Sequence, residues 1–221
     1  MNNEIRRNNS REKIIAESLK LFSLKGFNNT SLSNILSATN MSKGGFYNHF
    51  KSKEDLFAAV LSEAQRVWRI QHLANIDKVV RQIDKVKKIL LNFKDRYMKD
   101  AVHFPGGCVF VTLSVELDDQ IPHLSSQVYD GFRKTKALIK GYLDQAKEMG
   151  EIRSDVSTGG ITELILSCIL GASVVYGMGK SKNHLDKTIK SLIGYLESIE
   201  QKADFSGKRL VGMGNHRRLT R

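Results

Sequence analysis

The chain has 221 residues, of which 41% are hydrophobic and 26% charged. These values are ordinary for a globular protein and exclude a wholly disordered or fibrous chain. Thirty-five lysines and arginines against 23 aspartates and glutamates give a formal net charge of +12. The excess favours a polyanionic partner, either nucleic acid or an anionic membrane surface, and charge alone does not choose between them.

The sequence predicts a cytoplasmic protein without a membrane partner. Its two cysteines, Cys108 and Cys168, are too few to stabilise a secreted domain through disulfides. No apolar run follows a basic N-terminus, as a signal peptide would require. The uncharged segment from Leu164 to Gly179 has 16 residues, fewer than the roughly 20 needed to cross a bilayer, and is predicted to be a buried helix.

Apolar residues recur at steps of three and four along most of the chain, and only Pro105 and Pro122 interrupt it. This pattern predicts an all-α fold of about nine helices. The first helix is predicted from Arg11 to about Lys25, and Gly26 is expected to end it in the left-handed conformation. Residues 1–9 are predicted to form a flexible arm.

Two short helices follow, from Ser31 to about Ser37 and from Ser42 to about Asn48, with a turn over residues 38–41. Ser52 then begins a fourth helix, and Asp55 three residues later completes a capping-box pattern. A short helix, a turn of about four residues and a second short helix are the layout of a helix-turn-helix motif.

The second of these short helices has a polar N-terminal end of small residues. A recognition helix enters the major groove by that end, and Ser42, Lys43, Gly44 and Gly45 supply a cap, a cation and little bulk. Each glycine costs a helix about 1 kcal/mol relative to alanine, so the pair suggests a close approach of the backbone to DNA. Residues 1–53 have nine basic and three acidic side chains, half of the total charge excess.

Residues 30–36, 41–50 and 51–57 resemble the N-terminal domain of TetR-type transcriptional repressors, and the similarity extends over about residues 10–60. The resemblance implies a three-helix DNA-binding domain that a fourth helix joins to a helical effector-binding and dimerisation domain. Many members have a larger residue at the position of Gly45, so base contact by that side chain is lost here.

The residues expected to face bases are Lys43, Gly44, Gly45 and Asn48. Those expected to hold phosphates are Thr30, Ser31, Ser42, Tyr47, His49 and Lys53. Arg6 and Arg7 precede the first predicted helix, where a flexible arm could reach phosphates or the minor groove.

The domain division predicted from these patterns is a DNA-binding part (1–62), an effector-binding and dimerisation part (63–204) and a disordered basic tail (205–221). The last two long helices, about Thr158 to Gly179 and Asn183 to Gln201, are expected to form a homodimer interface. The stripe assigned to it is Ile161, Ile165, Cys168, Ala172 and Val175, with Gly171 and Ser173 allowing close approach.

Aromatic residues of the C-terminal part could line an apolar effector cavity with a few polar groups, although ordinary core packing is the preferred interpretation for each of them taken singly. The residues assigned to the pocket are Phe93, Tyr97, Phe110, Ser114, Glu116, Phe132 and Tyr176. Glu116 is the preferred polar group, because a buried carboxylate needs a partner. A cationic or hydrogen-bonding effector would supply it, as would Arg133 or Lys136.

No metal site, cofactor or enzymatic activity is predicted. The six histidines show no pair at i, i+4 and no neighbouring ligand set, and no phosphate-binding loop or nucleophile motif occurs. Cys108 follows two glycines at a predicted helix start, where the helix dipole lowers a thiol pKa. A redox role is conceivable there, but simple packing is the preferred interpretation for both cysteines.

The functional hypothesis is a homodimeric repressor that a small-molecule effector releases from a palindromic operator. Activation instead of repression remains open. One alternative is an architectural DNA-binding protein that tolerates many sequences and has no ligand. Another is a ligand-binding helical bundle with a vestigial DNA-binding motif.

Overall fold

The computed structural model of the protein describes residues 2–118 and 120–201. Nine α-helices and no strand occur in these residues, which confirms the all-α prediction. The helices are α1 (Asn2–Lys25), α2 (Leu32–Thr39), α3 (Lys43–Tyr47), α4 (Lys53–His72), α5 (Gln82–Asn92), α6 (Val109–Leu117), α7 (Pro122–Glu148), α8 (Thr158–Gly179) and α9 (Lys182–Ser198). The expected tail, 205–221, lies outside the described residues.

Helix α1 begins nine residues earlier than predicted, which corrects the flexible arm over residues 1–9. That stretch contains no glycine or proline and includes Glu4, Arg6 and Arg7, which are good helix formers. The helix therefore continues without a break through Ser10 into the predicted segment. Gly26 does end it in the left-handed region, with φ of +78°.

The first four helices share a small aromatic core. The ring of Phe27 lies 5.5 Å from that of Phe22 and 5.2 Å from that of Phe57, both edge to face. Phe46 and Phe50 are also buried, as their helical spacing predicts. This packing holds α3 against the body of the domain by one side and leaves its other side to solvent.

Three serines fix the N-terminal ends of α2, α3 and α4. The side chains of Ser31, Ser42 and Ser52 accept hydrogen bonds from backbone N–H groups three residues later, at 3.2, 3.1 and 3.0 Å. Such caps satisfy donors that a helix start leaves unpaired and stabilise it by about 1 kcal/mol each. They matter most for α3, which has five residues.

The remaining helices form an antiparallel bundle. Helix α5 packs on α7 and α9, α7 on α8, and α8 on α9, while α6 lies between α1 and α7. A π-helical turn, Phe93–Tyr97, continues α5 directly. Helix α4 belongs to both parts, because it runs unbroken from Lys53 to His72 and contacts both α1 and α5.

Helix α8 covers Thr158–Gly179, the bounds predicted for it, and so extends beyond the uncharged segment at its N-terminal end. Its 22 residues, with a mean hydropathy of 1.8 over the most apolar window, are long and apolar enough to span a membrane by length and composition alone. One face packs against the protein's own helices, as in a core helix. The buried residues on it are Ile161, Thr162, Ile165, Ile169, Ala172, Ser173 and Tyr176.

This burial corrects the expected dimer stripe. Ile161, Ile165, Ala172 and Ser173 belong to the core of the single chain and are not available to a partner, and Cys168 is half-buried. Of the expected set, Gly171 and Val175 are exposed. Most of the predicted stripe therefore lies on the side of α8 that faces the core and not on the side that is free for a partner. The error arose because α8 is apolar on more than one face.

Candidate nucleic-acid interface and ligand cavity

The outer side of α3 presents a compact set of polar groups to solvent. Lys43, Gly44, Tyr47 and Asn48 are exposed, and 48% of the Tyr47 surface is accessible. Phe46 lies beneath them in the core and holds the helix in place. A protruding helix with a cation at its N-terminal end has the shape that a major groove accepts.

The two glycines of α3 have different surroundings. A Cβ atom built on Gly44 would meet no atom within 4 Å, so this position is open surface. A Cβ on Gly45 would lie 3.3 Å from Ser42 Oγ and 3.6 Å from Met41 Cε. Gly45 is therefore turned towards the helix cap, and Gly44 is the glycine that offers its backbone to a partner.

The N-terminal part of α1 lies beside the C-terminal end of α3. Arg7, Ser10, Asn48 and His49 together line a shallow surface notch. Burial and the neighbouring arginines, Arg7 and Arg11, lower the pKa of His49. The lower pKa favours the neutral ring, which can form a hydrogen bond but carries no charge. Because α1 extends to Asn2, Arg7 is fixed on a helix next to α3 and not carried on an arm. The absence of glycine and proline before Arg11 was the available signal, and the four asparagines there weakened it.

Two residues that were expected to contact phosphates, Lys53 and Thr30, instead form contacts within the protein. The ammonium of Lys53 donates to the carbonyl oxygens of Phe27 (2.9 Å) and Thr30 (3.1 Å) and lies 4.2 Å from the Phe27 ring centroid. Burial lowers its pKa. Thr30 is fully buried, and its hydroxyl donates to Gly26 O at 2.6 Å. Both side chains stabilise the turn between α1 and α2, whereas Ser31 remains exposed.

Glu116 joins α6 to the same turn and does not line a pocket, which corrects its assignment. Its two carboxylate oxygens accept the backbone N–H groups of Phe27 (2.6 Å) and Asn28 (2.7 Å). A Cβ atom on Gly26 would lie 2.4 Å from this carboxylate, so the contact requires glycine there. The sequence shows that Glu116 needs a partner, but nothing in it favours backbone N–H groups over a ligand.

A partly open cavity of about 300 Å³ lies between α4, the π-helical turn, α6, α7 and α8. Four of the expected pocket residues line it: Phe93, Tyr97, Phe110 and Phe132. Ser114 and Tyr176 do not. The Ser114 hydroxyl donates to Val111 O within its own helix, and the Tyr176 ring packs in the core with the Lys180 ammonium 5.5 Å away.

Sequence reasoning missed most of the remaining wall of the cavity. The missed residues include Gln65, Trp68, Arg69, His72, Leu73, Cys108, Lys134, Thr135, Leu138, Leu166, Ile169 and Ser173. Trp68 and His72 lie four residues apart near the end of α4, on one face of the helix. That spacing was a usable signal, but a helix face of this kind is also typical of core packing.

The thiol of Cys108 faces the cavity beside Tyr97. The Tyr97 hydroxyl donates to Cys108 Sγ at 3.3 Å. Burial raises the pKa of the Cys108 thiol and that of the Tyr97 hydroxyl. The effect expected from the helix start is outweighed, because desolvation penalises a thiolate.

The exposed α3, the cation at its start and the ligand-sized cavity among the later helices define a helix-turn-helix DNA-binding protein with a helical C-terminal domain. Residues 14–60 match the family model described as bacterial regulatory proteins, tetR family. Residues 82–192, just over half of the chain, match the tetracyclin repressor-like C-terminal domain. The chain belongs to the TetR family of transcriptional regulators.

Several curated regulators are similar in sequence. The chain is 28% identical to the transcriptional repressor NemR of Escherichia coli over 63% of its length and 69% of that protein. It is 36% identical to the regulator QacR of Staphylococcus aureus over 28% of its length and 34% of QacR. An uncharacterised regulator from Lactococcus lactis is 29% identical over 57% of this chain, and the match covers 65% of the relative.

Solved structures share the whole fold. A TetR regulator from Chloroflexus aurantiacus superposes with a TM-score of 0.83 at 26% identity, over 90% of this chain and 99% of that one. The reduced form of E. coli NemR superposes with a TM-score of 0.69 at 21% identity, over 87% and 97% of the two chains.

Proposed function

We propose that the protein is a cytoplasmic homodimeric repressor that binds a palindromic operator and leaves it when a small molecule enters the cavity. The observation that carries the proposal is the exposed polar side of α3, with Arg7 and Arg11 of α1 next to it. The relatives named as repressors agree with repression.

The proposed DNA contacts follow from exposure. Lys43 and Asn48 are the side chains placed to contact bases, and Gly44 lets the backbone approach. Ser31, Ser42, Tyr47 and His49 are the side chains placed to hold phosphates, with Arg7 and Arg11 added from α1. Phosphate contacts fix the register of the helix on the duplex, and base contacts select the sequence.

The proposed dimer uses the outer face of α8. Leu164, Val174, Val175 and Met178 are exposed there, and 85% of the Met178 surface is accessible. Gly171 lies among them with open space around it, so a second helix can approach closely. Tyr195 and Gly194 of α9 are also exposed. A contiguous apolar face of this kind favours an interface between copies of the chain.

Helix α6 offers a route from the cavity to the DNA-binding domain. It carries Phe110 in the cavity wall and Glu116 on the turn that follows α1. A ligand that displaces Phe110 also displaces the anchor of α1, whose far end lies beside α3. If the ligand binds better to the displaced state, it must weaken DNA binding by the same factor.

Selection of binding sites from a random DNA pool by the purified full-length protein tests the proposal. Near-physiological salt is used so that phosphate contacts alone do not dominate. The expected result is a palindrome with half-sites about 10 base pairs apart, one turn of the duplex, or a multiple of that.

The other outcomes correspond to the two alternatives. Enrichment without a consensus would favour an architectural protein that tolerates many sequences. No enrichment at all would favour a ligand-binding bundle whose DNA-binding motif is vestigial. Either result would overturn the proposed operator specificity.

A further inference from the structure

The wall of the cavity is aromatic and lacks negative charge. Rings of Trp68, His72, Phe93, Tyr97, Phe110 and Phe132 contribute to it. Among the lining residues that the structure describes, none is an aspartate or glutamate, while Arg69 and Lys134 stand at its exposed rim. A permanently cationic ligand would lose its hydration there without gaining a counter-ion.

His72 supplies a hydrogen-bond acceptor whose protonation state follows from its contacts. Its Nδ1 atom lies 3.0 Å from the carbonyl oxygen of Trp68. Because a carbonyl can only accept, the proton of the neutral ring is on Nδ1 and Nε2 has a free lone pair. Burial lowers the pKa of His72 to about 3, so the ring is neutral at physiological pH.

The ring of His72 is held in one orientation. It stacks on Trp68 with centroids 4.2 Å apart and lies 4.6 Å from the ring of Tyr97. Its residue surface is 2% exposed. The Nδ1 edge is used by the backbone, so the edge left for the cavity is that of Nε2, and no N–H or O–H group of the described residues donates to it.

We infer that the cavity binds an uncharged aromatic molecule with one hydrogen-bond donor, of the phenol class, and that the donor hydroxyl bonds to His72 Nε2. The inference deepens the proposed function, because it names the class of effector. The aromatic walls accommodate the ring of the ligand, and an acceptor atom that is open to the cavity and has no protein donor selects against isosteres that lack the hydroxyl.

Isothermal titration calorimetry on the full-length protein without DNA tests the inference. The probes are 4-propylphenol, its methyl ether 4-propylanisole, and 4-propylphenyltrimethylammonium. Trp68 is the one tryptophan of the chain, so quenching of its fluorescence reports occupation of this cavity independently. We expect 4-propylphenol to bind, with quenching of Trp68, and the ammonium probe to bind at least about tenfold more weakly.

The variant His72→Phe keeps a ring in place and removes the acceptor. We expect it to bind 4-propylphenol about tenfold more weakly, the equivalent of one hydrogen bond, and to bind 4-propylanisole as tightly as the wild type or more so. The matched control His184→Phe, on α9 outside the cavity, is expected to change neither affinity. Equal effects of His72→Phe on the two probes would overturn the inference.

A measurement on the unaltered protein covers the case in which His72→Phe does not fold. Nitrogen-15 NMR of the histidine rings distinguishes a free Nε2 from one that accepts a hydrogen bond. We expect the His72 Nε2 resonance to move when 4-propylphenol is added and to stay in place with 4-propylanisole. Binding of 4-propylphenol without this shift, or tighter binding of the ammonium probe, would overturn the inference.

Failure of the proposed function gives a different result. If 4-propylphenol binds with the His72 signature but leaves the affinity for a selected DNA site unchanged, the ligand class stands and the proposed release mechanism is wrong. If the DNA site is released by compounds that do not quench Trp68, the release mechanism stands and this cavity assignment is wrong.

Discussion

Lys43 and Lys53 occupy the same local position, each directly after the serine that caps its helix. Their local sequence therefore does not show that the two lysines have different roles, and both were expected to contact DNA. The structure separates them through tertiary contacts, because the turn after α1 brings two carbonyl oxygens to Lys53 and none to Lys43. Lys43 faces solvent, whereas Lys53 stabilises the fold through these hydrogen bonds.

Replacing these lysines should therefore have different effects. Lys43→Ala is expected to cost about 1 to 3 kcal/mol at the preferred DNA site and to relax its sequence preference. Lys53→Ala is expected to lower the free energy of unfolding by about 1 to 3 kcal/mol, because it removes two hydrogen bonds from a charged donor. Fluorescence anisotropy with specific and scrambled DNA, and urea denaturation, measure the two effects. A Lys53→Ala protein of normal stability with evenly weakened DNA binding would restore the phosphate role.

The neutral His72 makes stability depend on pH. In the unfolded chain its pKa is near 6.5 and in the folded protein about 3, so below pH 6.5 the unfolded state binds a proton that the native state does not. The free energy of unfolding should fall with acidification by up to about 1.4 kcal/mol per pH unit. His72→Phe should reduce this slope between about pH 6.5 and pH 5, as measured by urea denaturation. An unchanged slope would show that His72 is protonated in the native state.

At the scale of the element, α6 shows what a helical pattern can and cannot reveal. Phe110 and Glu116 are six residues apart, which places them roughly 120° from each other around the helix. Both were assigned to one pocket from their shared helix, although they point to different neighbours. Phe110 faces the cavity and Glu116 faces the turn after α1. The existence of the helix was predictable, whereas its two contact faces depend on where α1 and α7 pack.

Glu116 should carry the coupling between the cavity and DNA. In Glu116→Gln, a single amide oxygen replaces the two carboxylate oxygens, so only one of the two backbone N–H groups keeps its acceptor. The side-chain NH2 group is itself a donor and therefore faces the second backbone N–H group unfavourably. We expect the variant to bind 4-propylphenol normally while the ligand-induced loss of DNA affinity, typically about 5- to 150-fold in coupled systems, falls towards none. Anisotropy titrations with and without ligand measure it.

The matched control for this variant is Glu163→Gln. Glu163 lies on α8 and pairs with Lys136 of α7, away from the turn after α1. The Glu163→Gln variant should retain the full ligand-induced loss of DNA affinity. If Glu116→Gln also retains it, the signal does not pass through this carboxylate.

At the scale of the whole molecule, the helix-turn-helix and the all-α class were predictable, because caps, glycines and helical periodicity are local signals. The outer face of α8 was not. Apolar residues surround most of that helix, so periodicity alone does not show which stripe meets α7 and α9 and which meets solvent. The position of α1 beside α3 depended similarly on where the helix begins.

A charge on the outer face of α8 should separate the proposed dimer. Gly171 and Gly141 are both helical glycines at which an added Cβ atom would meet no atom within 4 Å, so a side chain can leave the backbone at either position without a clash at its first atom. Gly171→Arg is expected to weaken dimerisation about 100-fold or more, because it places an unpaired charge in an apolar interface. Gly141→Arg, on α7, should remain dimeric. Sedimentation equilibrium measures both, and a dimeric Gly171→Arg would place the interface elsewhere.

Recognition of a palindrome by the proposed dimer requires two copies of α3 held at a fixed spacing on one face of the duplex. The most direct measurement is the affinity of the full-length protein for a selected palindrome and for the same palindrome with about five base pairs inserted at its centre. The insertion turns one half-site by roughly half a helical turn, to the opposite face. We predict that affinity falls to that of a single half-site. Equal affinity for the two duplexes would contradict a dimer that recognises palindromic DNA through two copies of α3 at a fixed spacing.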